Sequence, residues 1–281
     1  MISLNYAYFK YDFNATEEDF MIKLIATDMD GTLLDENGYL PQGFTDILNR
    51  LIAKNIKLVI ASGRPYYTLQ TNFGPVGRHL SYICENGALV VDDNKTIYKS
   101  VIDSNIVKQL IKESKSINGN ATVLCSETCA YVERYSDAHL AEIKKYYTNL
   151  EFVDDLFNVN DEIIKVTFCN LENSLDNLNN IFKPKFAQEL NVVGSGQIWI
   201  DVSNKGANKG VALKNLMDTD NILKEETMVF GDYYNDIEML KQSDYSFVMK
   251  NAPEDMKQYG KYEAASNVEQ GVLRAIVEYA L

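Results

Sequence analysis

The sequence predicts an α/β protein in two parts, a parallel-sheet core with an α+β segment inserted into it. Three observations carry that prediction. Short apolar runs of strand length alternate with helix-period segments near both ends of the chain. Between about residues 102 and 198 this rhythm gives way to mixed short strands and helices. Several of the apolar runs end abruptly in carboxylates, hydroxyls and glycines, as strands do at the carboxyl edge of a parallel sheet.

The first run, Lys23-Leu24-Ile25-Ala26-Thr27, ends in Asp28-Met29-Asp30-Gly31-Thr32. An uninterrupted apolar run suits a strand buried on both faces. Residues i and i+2 of an extended segment point the same way, so Asp28 and Asp30 are expected to converge. Phe44, Ile47, Leu48, Leu51 and Ile52 keep helical spacing, and Lys57 to Ala61 is a second strand ending in Ser62-Gly63-Arg64-Pro65. Strand, helix, strand in about forty residues is a βαβ unit. Tyr82-Ile83-Cys84 runs into Glu85-Asn86-Gly87, and Val90–Val91 and Ile97–Tyr98 flank a turn sequence, as in a hairpin.

The inserted segment is expected to hold helices near 106–111, 138–147 and 175–182 and strands near 122–125, 130–132 and 163–168. The core rhythm is expected to return with Ile198 to Val202. Asn208-Lys209-Gly210 then opens a helix, Met228-Val229-Phe230 ends in Gly231-Asp232-Tyr233-Tyr234-Asn235-Asp236, Tyr245 to Met249 is a last strand, and Val272 to Val277 a closing helix. The expected domains are 21–101 with 199–281 for the core and 102–198 for the insert. Residues 1–20 read as an N-terminal extension, open to interpretation as an edge strand, a tail, or sequence ahead of a start at Met21.

Whole-chain properties exclude some classes. The chain has 281 residues, 46% apolar and 24% charged, with 27 basic against 40 acidic residues and a net charge of −13. That balance argues against nucleic acid or an anionic membrane as the main partner. No membrane span or signal peptide is visible. Cys84, Cys125, Cys129 and Cys169 form no disulfide framework, and no second Cys/His pair completes a zinc set around Cys125 and Cys129. Buried free thiols and a cytoplasmic protein, monomer or weak homodimer, are expected.

Asp28/Asp30, Ser62, Lys209 and Asp232/Asn235/Asp236 each follow a strand or open a helix after one, so the sheet edge can gather them. Carboxylates with a lysine and a hydroxyl suit a Mg²⁺ and phosphate site. Bland readings exist for single residues: Ser62 as a helix cap, Lys209 as a surface lysine, Asp236 as a first-turn helix acid.

Asp28-Met29-Asp30-Gly31-Thr32, Ser62-Gly63-Arg64, Lys209 and Gly231-Asp232-x-x-Asn235-Asp236 together resemble the four motifs of the haloacid dehalogenase superfamily. Leu33-Leu34, Glu85-Asn86-Gly87 and Asn235-Asp236-Ile237-Glu238-Met239-Leu240 resemble its Cof-type (subfamily IIB) branch. The resemblance covers residues 21–281. It implies a Rossmann-like core with a C2-type cap, and a Mg²⁺-dependent phosphatase of small phosphorylated metabolites, sugar phosphates first. By the same resemblance Asp28 is the nucleophile that forms an aspartyl-phosphate, and Asp30 is the acid/base. Asp28, the Asp30 carbonyl, Asp232 and Asp236 hold Mg²⁺, with Asp236 alternatively orienting Lys209. Ser62, Gly63, Lys209 and Asn235 bind phosphate; Arg64, Asn86 and Gly87 are candidates for substrate contact. A sugar phosphomutase and a non-catalytic phosphometabolite sensor are the alternatives. Two departures stand out: Lys250 replaces a glycine in the Met249-Lys250-Asn251-Ala252 loop, and Tyr233-Tyr234 puts two bulky rings where the site entrance would be narrowed.

Overall fold

A computed structural model of the protein describes residues 21–195 and 197–281; the expected N-terminal extension, residues 1–20, lies outside them. The described residues form two sheets. The core sheet has eight strands in the order Tyr262–Ala264, Tyr245–Met249, Thr227–Gly231, Leu24–Asp28, Lys57–Ala61, Ser81–Cys84, Leu89–Asp92, Lys95–Lys99. The first six run parallel. The last two add the expected antiparallel hairpin, which turns on Asp93 and Asn94, both at positive φ.

Leu24–Asp28 is buried along its whole length. Its alternating side chains feed two apolar layers. Ile25 packs with Leu48, Leu51, Phe230 and Ile276 on one face, and Leu24 and Ala26 pack with Leu213, Leu216 and Val229 on the other. Helices Phe44–Ala53 and Gly271–Tyr279 therefore cover one face, and Lys209–Asp220 covers the other. Strand order runs outward from Leu24–Asp28 in one direction, then resumes on its opposite side with Thr227–Gly231. The crevice at such a reversal is where open α/β sheets place ligands.

The second sheet, in order, is Leu190–Gly194, Trp199–Asn204, Lys165–Asn170, Asn120–Cys125, Ala130–Val132, Leu150–Phe152. It is mixed: its pairs are antiparallel except the last, which is parallel. Leu110, Val166, Phe168, Phe182 and Ile200 pack on one face. Ile143, Cys169 and Trp199 pack on the other, against which Tyr67 of the core rests.

One expectation is corrected here. Trp199–Asn204 does not begin the return to the core but pairs with two strands of the second sheet. Its alternation of buried Ile200 and Val202 with less buried Asp201 and Ser203 suits an antiparallel strand with one face toward a cavity. The edge strands Leu150–Phe152 and Tyr262–Ala264 have three residues each, too few to show a period in the sequence, and the edge strand Leu190–Gly194 has no expected counterpart. The helix Tyr66–Phe73 has no expected counterpart, because its apolar residues form no clear stripe. All four cysteines are buried and free. Among the described residues, no helix is long and apolar enough to cross a membrane.

Candidate active site

The carboxyl ends of Leu24–Asp28 and Thr227–Gly231 bring Asp28 and Asp232 together. Lys209, the first residue of Lys209–Asp220, reaches in from the covering helix. Asn208 caps that helix by accepting from the Val211 amide at 2.9 Å. The Lys209 ammonium is fully buried and donates to Asp28 Oδ1 at 2.5 Å and to Asp236 Oδ1 at 2.7 Å. The surface-lysine and simple helix-acid readings therefore do not describe Lys209 and Asp236. Asp236 Oδ2 accepts from the amides of Asp232 at 3.0 Å and Tyr233 at 3.2 Å, so both its oxygens are engaged.

Burial pushes the Asp28 carboxyl up to about 8; Lys209 opposes the shift and Asp236 adds to it. Burial likewise raises Asp232 to about 6, against the hydrogen bond from the Thr32 hydroxyl at 2.9 Å. Burial alone would lower the Lys209 ammonium, but Asp236 and Asp28 outweigh it and hold it above its ordinary value.

The loop after Asp28 is shaped for Asp232. Gly31 has φ +84°, and a Cβ there would lie 2.3 Å from Asp232 Oδ2. Asn251 donates to the Gly31 carbonyl at 2.8 Å, and Asn267 donates to Leu34 O at 2.9 Å. Asn251 belongs to the Met249-Lys250-Asn251-Ala252 loop, whose sequence alone assigns it no role. Lys250 beside it is exposed and faces Glu269 at 3.7 Å, so the replaced glycine leaves the site untouched.

Asp30 behaves differently from expectation. Its carboxylate does not converge with that of Asp28 but pairs with Arg64, Nη2 to Oδ1 at 2.6 Å and Nε to Oδ2 at 3.1 Å. The strand ends at Asp28, and the turn through Gly31 breaks the i, i+2 alignment. Ser62 is buried; its Oγ accepts from the Arg64 amide at 3.1 Å, and its carbonyl accepts from the Asn86 amide at 3.0 Å. Asn235 donates to Asn86 Oδ1 at 3.1 Å. Gly87 is a packing position, not a chamber wall: with φ +98°, its added Cβ would lie 2.3 Å from the Asn208 carbonyl. The Glu85-Asn86-Gly87 loop thus abuts Ser62, Asn235 and the start of the Lys209 helix at once.

A chamber of about 600 Å³ lies between the sheets. Asp30, Ser62, Gly63, Arg64 and Asn86 form its core side, and Tyr146, Lys165, Thr167, Trp199 and Asp201 its opposite side. Tyr233 and Tyr234 are exposed and do not line it; Tyr234 donates to Asp255 instead. Lys165 makes an ion pair with Glu85, both at most 5% exposed in their side chains. No local sequence pattern links Glu85 to Lys165, which the two sheets bring together from 80 residues apart.

Ligand oxygens of Asp28, Asp232 and Asp236 all lie within 4.8 Å of one another. Thr32 takes Asp232 Oδ1 and Lys209 takes Asp28 Oδ1, which leaves the second oxygen of each carboxylate without a hydrogen-bond donor among the described residues. An all-oxygen donor set of this kind fits a hard divalent cation. Asp30's carboxylate is outside the set.

The haloacid dehalogenase-like hydrolase family matches residues 25–276. The chain belongs to that family. Its place in the family is that of a Cof-type, subfamily IIB phosphatase, a phosphoric monoester hydrolase, and phosphatases of this family use a divalent metal. The haloacid dehalogenase-like chain is 31% identical over 257 residues to the 5-amino-6-(5-phospho-D-ribitylamino)uracil phosphatase YbjI of Escherichia coli (strain K12), covering 91% of this chain and 95% of that protein. It is 28% identical over 262 residues to YitU of Bacillus subtilis (strain 168), which bears the same enzyme name; the match covers 91% and 97%. Among solved structures, SMU.1108c from Streptococcus mutans UA159 superposes with a TM-score of 0.80 at 32% identity, covering 92% of this chain and 98% of that one. The subclass IIB sugar phosphatase BT4131 does so with 0.77 at 25% identity, covering 92% and 98%.

Proposed function

We propose that the protein is a Mg²⁺-dependent phosphatase of small phosphorylated metabolites whose leaving group is a sugar or polyol. The observation that carries this reading is the buried Lys209 ammonium shared by Asp28 and Asp236 beside Asp232. Such an arrangement offsets the charge of a carboxylate nucleophile with a lysine that a second buried carboxylate holds in place, next to a carboxylate free to bind metal. The names of the relatives, a phosphoribityl ester phosphatase and a sugar phosphatase, support the leaving-group class.

In this reading an Asp28 oxygen attacks phosphorus, and the bond from phosphorus to the leaving oxygen breaks. Asp30 gives its proton to that oxygen as it departs. Asp30 then takes a proton from water, whose oxygen attacks the aspartyl-phosphate; Asp28 is released and inorganic phosphate leaves. Lys209, Ser62, Gly63 and Asn235 bind the phosphoryl oxygens, and Asp236 orients Lys209 through the contact it already makes. Asp28, the Asp30 carbonyl and Asp232 would hold Mg²⁺, which supplies charge neutralisation at the phosphoryl group. The inserted segment, extended through Asn204, acts as the cap that excludes water. Four free, buried thiols support a cytoplasmic site of action.

The test is phosphate release from a panel of phosphomonoesters with Mg²⁺, including 5-amino-6-(5-phospho-D-ribitylamino)uracil and hexose 6-phosphates, with Asp28→Asn as control. Turnover lost in the variant is expected. No release from any ester defeats the enzymatic reading in favour of a sensor, and a bisphosphorylated product in place of free phosphate favours a mutase.

A further inference from the structure

The charges around the chamber are paired off almost completely. Five charged residues line it. Asp30 and Arg64 hold each other. Lys165 is committed to Glu85, is only 4% exposed, and sits 5.6 Å over the Tyr147 ring. Glu142 pairs with Lys145 outside the chamber. That leaves Asp201. Its Oδ1 accepts from the Thr167 hydroxyl, and no cation lies within 4.0 Å of it among the described residues. Lys165 thus faces two carboxylates, Glu85 in contact and Asp201 farther off, and the side of the chamber facing the phosphate end carries one net negative charge with no uncommitted cation. Tyr146 and Trp199, packed edge to face at 5.7 Å, give it one aromatic wall.

We infer that this chamber selects its leaving group by charge: it accepts neutral or cationic groups bearing hydroxyls and amines, rejects a group carrying a second anion, and Asp201 enforces the choice. The inference rests on the phosphatase reading above. A second phosphate or a carboxylate brought beside Asp201 would meet a like charge that Lys165, already paired with Glu85, offsets only in part. A hydroxyl or ammonium would find in the second oxygen of Asp201 a ready acceptor.

Glucitol 6-phosphate and 6-phosphogluconate test this, because they share a polyol chain and differ at the far carbon, a hydroxymethyl against a carboxylate. 1-Amino-1-deoxyglucitol 6-phosphate supplies the cation. With saturating Mg²⁺ and fixed ionic strength, kcat/KM is expected to fall from the amine to the alcohol to the carboxylate, with about tenfold or more between the last two. Asp201→Asn keeps the size and an acceptor for Thr167 while removing the charge, and is expected to shrink that ratio by about tenfold through a gain on 6-phosphogluconate. Ratios taken on one preparation cancel any loss of folded enzyme. Equal hydrolysis of alcohol and carboxylate by the unmodified protein, or an unchanged ratio in Asp201→Asn, overturns the inference. Cleavage of p-nitrophenyl phosphate with neither polyol ester turned over overturns it too. If no ester at all is cleaved, it is the phosphatase reading that has failed.

Discussion

Arg64 holds both carboxylate oxygens of Asp30, at 2.6 and 3.1 Å, and so turns the second acid of the Asp-x-Asp motif away from the first. Asp30 remains at the chamber wall, 58% exposed in its side chain, while Asp28 is buried beside Lys209. The two acids therefore experience different environments although one residue separates them.

If Asp30 carries the proton, Asp30→Asn should lower kcat by roughly 10²–10⁴-fold on esters with poor leaving groups. The first step should be much less affected with p-nitrophenyl phosphate, whose leaving group needs no proton, so the burst of p-nitrophenol should survive while later turnover slows for want of the base. Arg64→Ala removes only the orienting partner and should cost less than Asp30→Asn. Pre-steady-state kinetics on both substrate types decides, and equal losses in the first step on the two would remove Asp30 from protonation of the leaving group.

Lys209→Met leaves Asp28 and Asp236 buried without their shared cation. Breaking a buried ion pair from one side costs about 3–5 kcal/mol. Urea unfolding at neutral pH in the presence of chelator should show a loss of that order. A loss below about 1 kcal/mol would mean that water or protonation already satisfies the carboxylates.

Metal binding should depend on pH in a defined sense. Asp232 is raised to about 6 and Asp28 to about 8 in the metal-free fold. A carboxyl raised by folding contributes stability below its unfolded value, and that contribution is lost as pH rises through the folded value. The metal-free melting temperature should therefore fall between about pH 4 and 8 from these two groups. The increment from added Mg²⁺ should grow over the same range, because the metal requires the ionised carboxylates. Thermal melts with and without Mg²⁺ across this range measure it; an increment that is flat or shrinks with pH contradicts the assignment.

Gly31→Ala should be disproportionately harmful for so small a change. Its φ of +84° disfavours any side chain, and the added carbon would sit 2.3 Å from Asp232 Oδ2. Beyond about 1 kcal/mol of backbone strain, Asp232 must move. Isothermal titration should show Mg²⁺ affinity reduced by more than the loss in melting temperature explains, whereas unaltered affinity would show that the loop relaxes freely.

The gathering of Asp28, Ser62 and Asp232 is legible in chain order, because strand ends in a parallel sheet share one edge however far apart they lie in sequence, whereas Lys209 follows a strand of the other sheet and reaches the site from the covering helix. Buried strands and amphipathic helices announce themselves through local periodicity, which is why the main core elements could be read directly. Pairings across the fold leave no such local trace. Asp30 turned toward Arg64 because the chain bends at Gly31, after the strand has ended. Trp199–Asn204 joined the cap sheet through hydrogen bonds to strands that precede it. Glu85 met Lys165, and Asp201 was left without a cation of its own, only because two sheets face each other across one chamber. The residues for phosphoryl chemistry are written in short motifs with their own backbone geometry; the choice of leaving group rests on distant side chains whose charges cancel, or fail to cancel, only once the chain is folded.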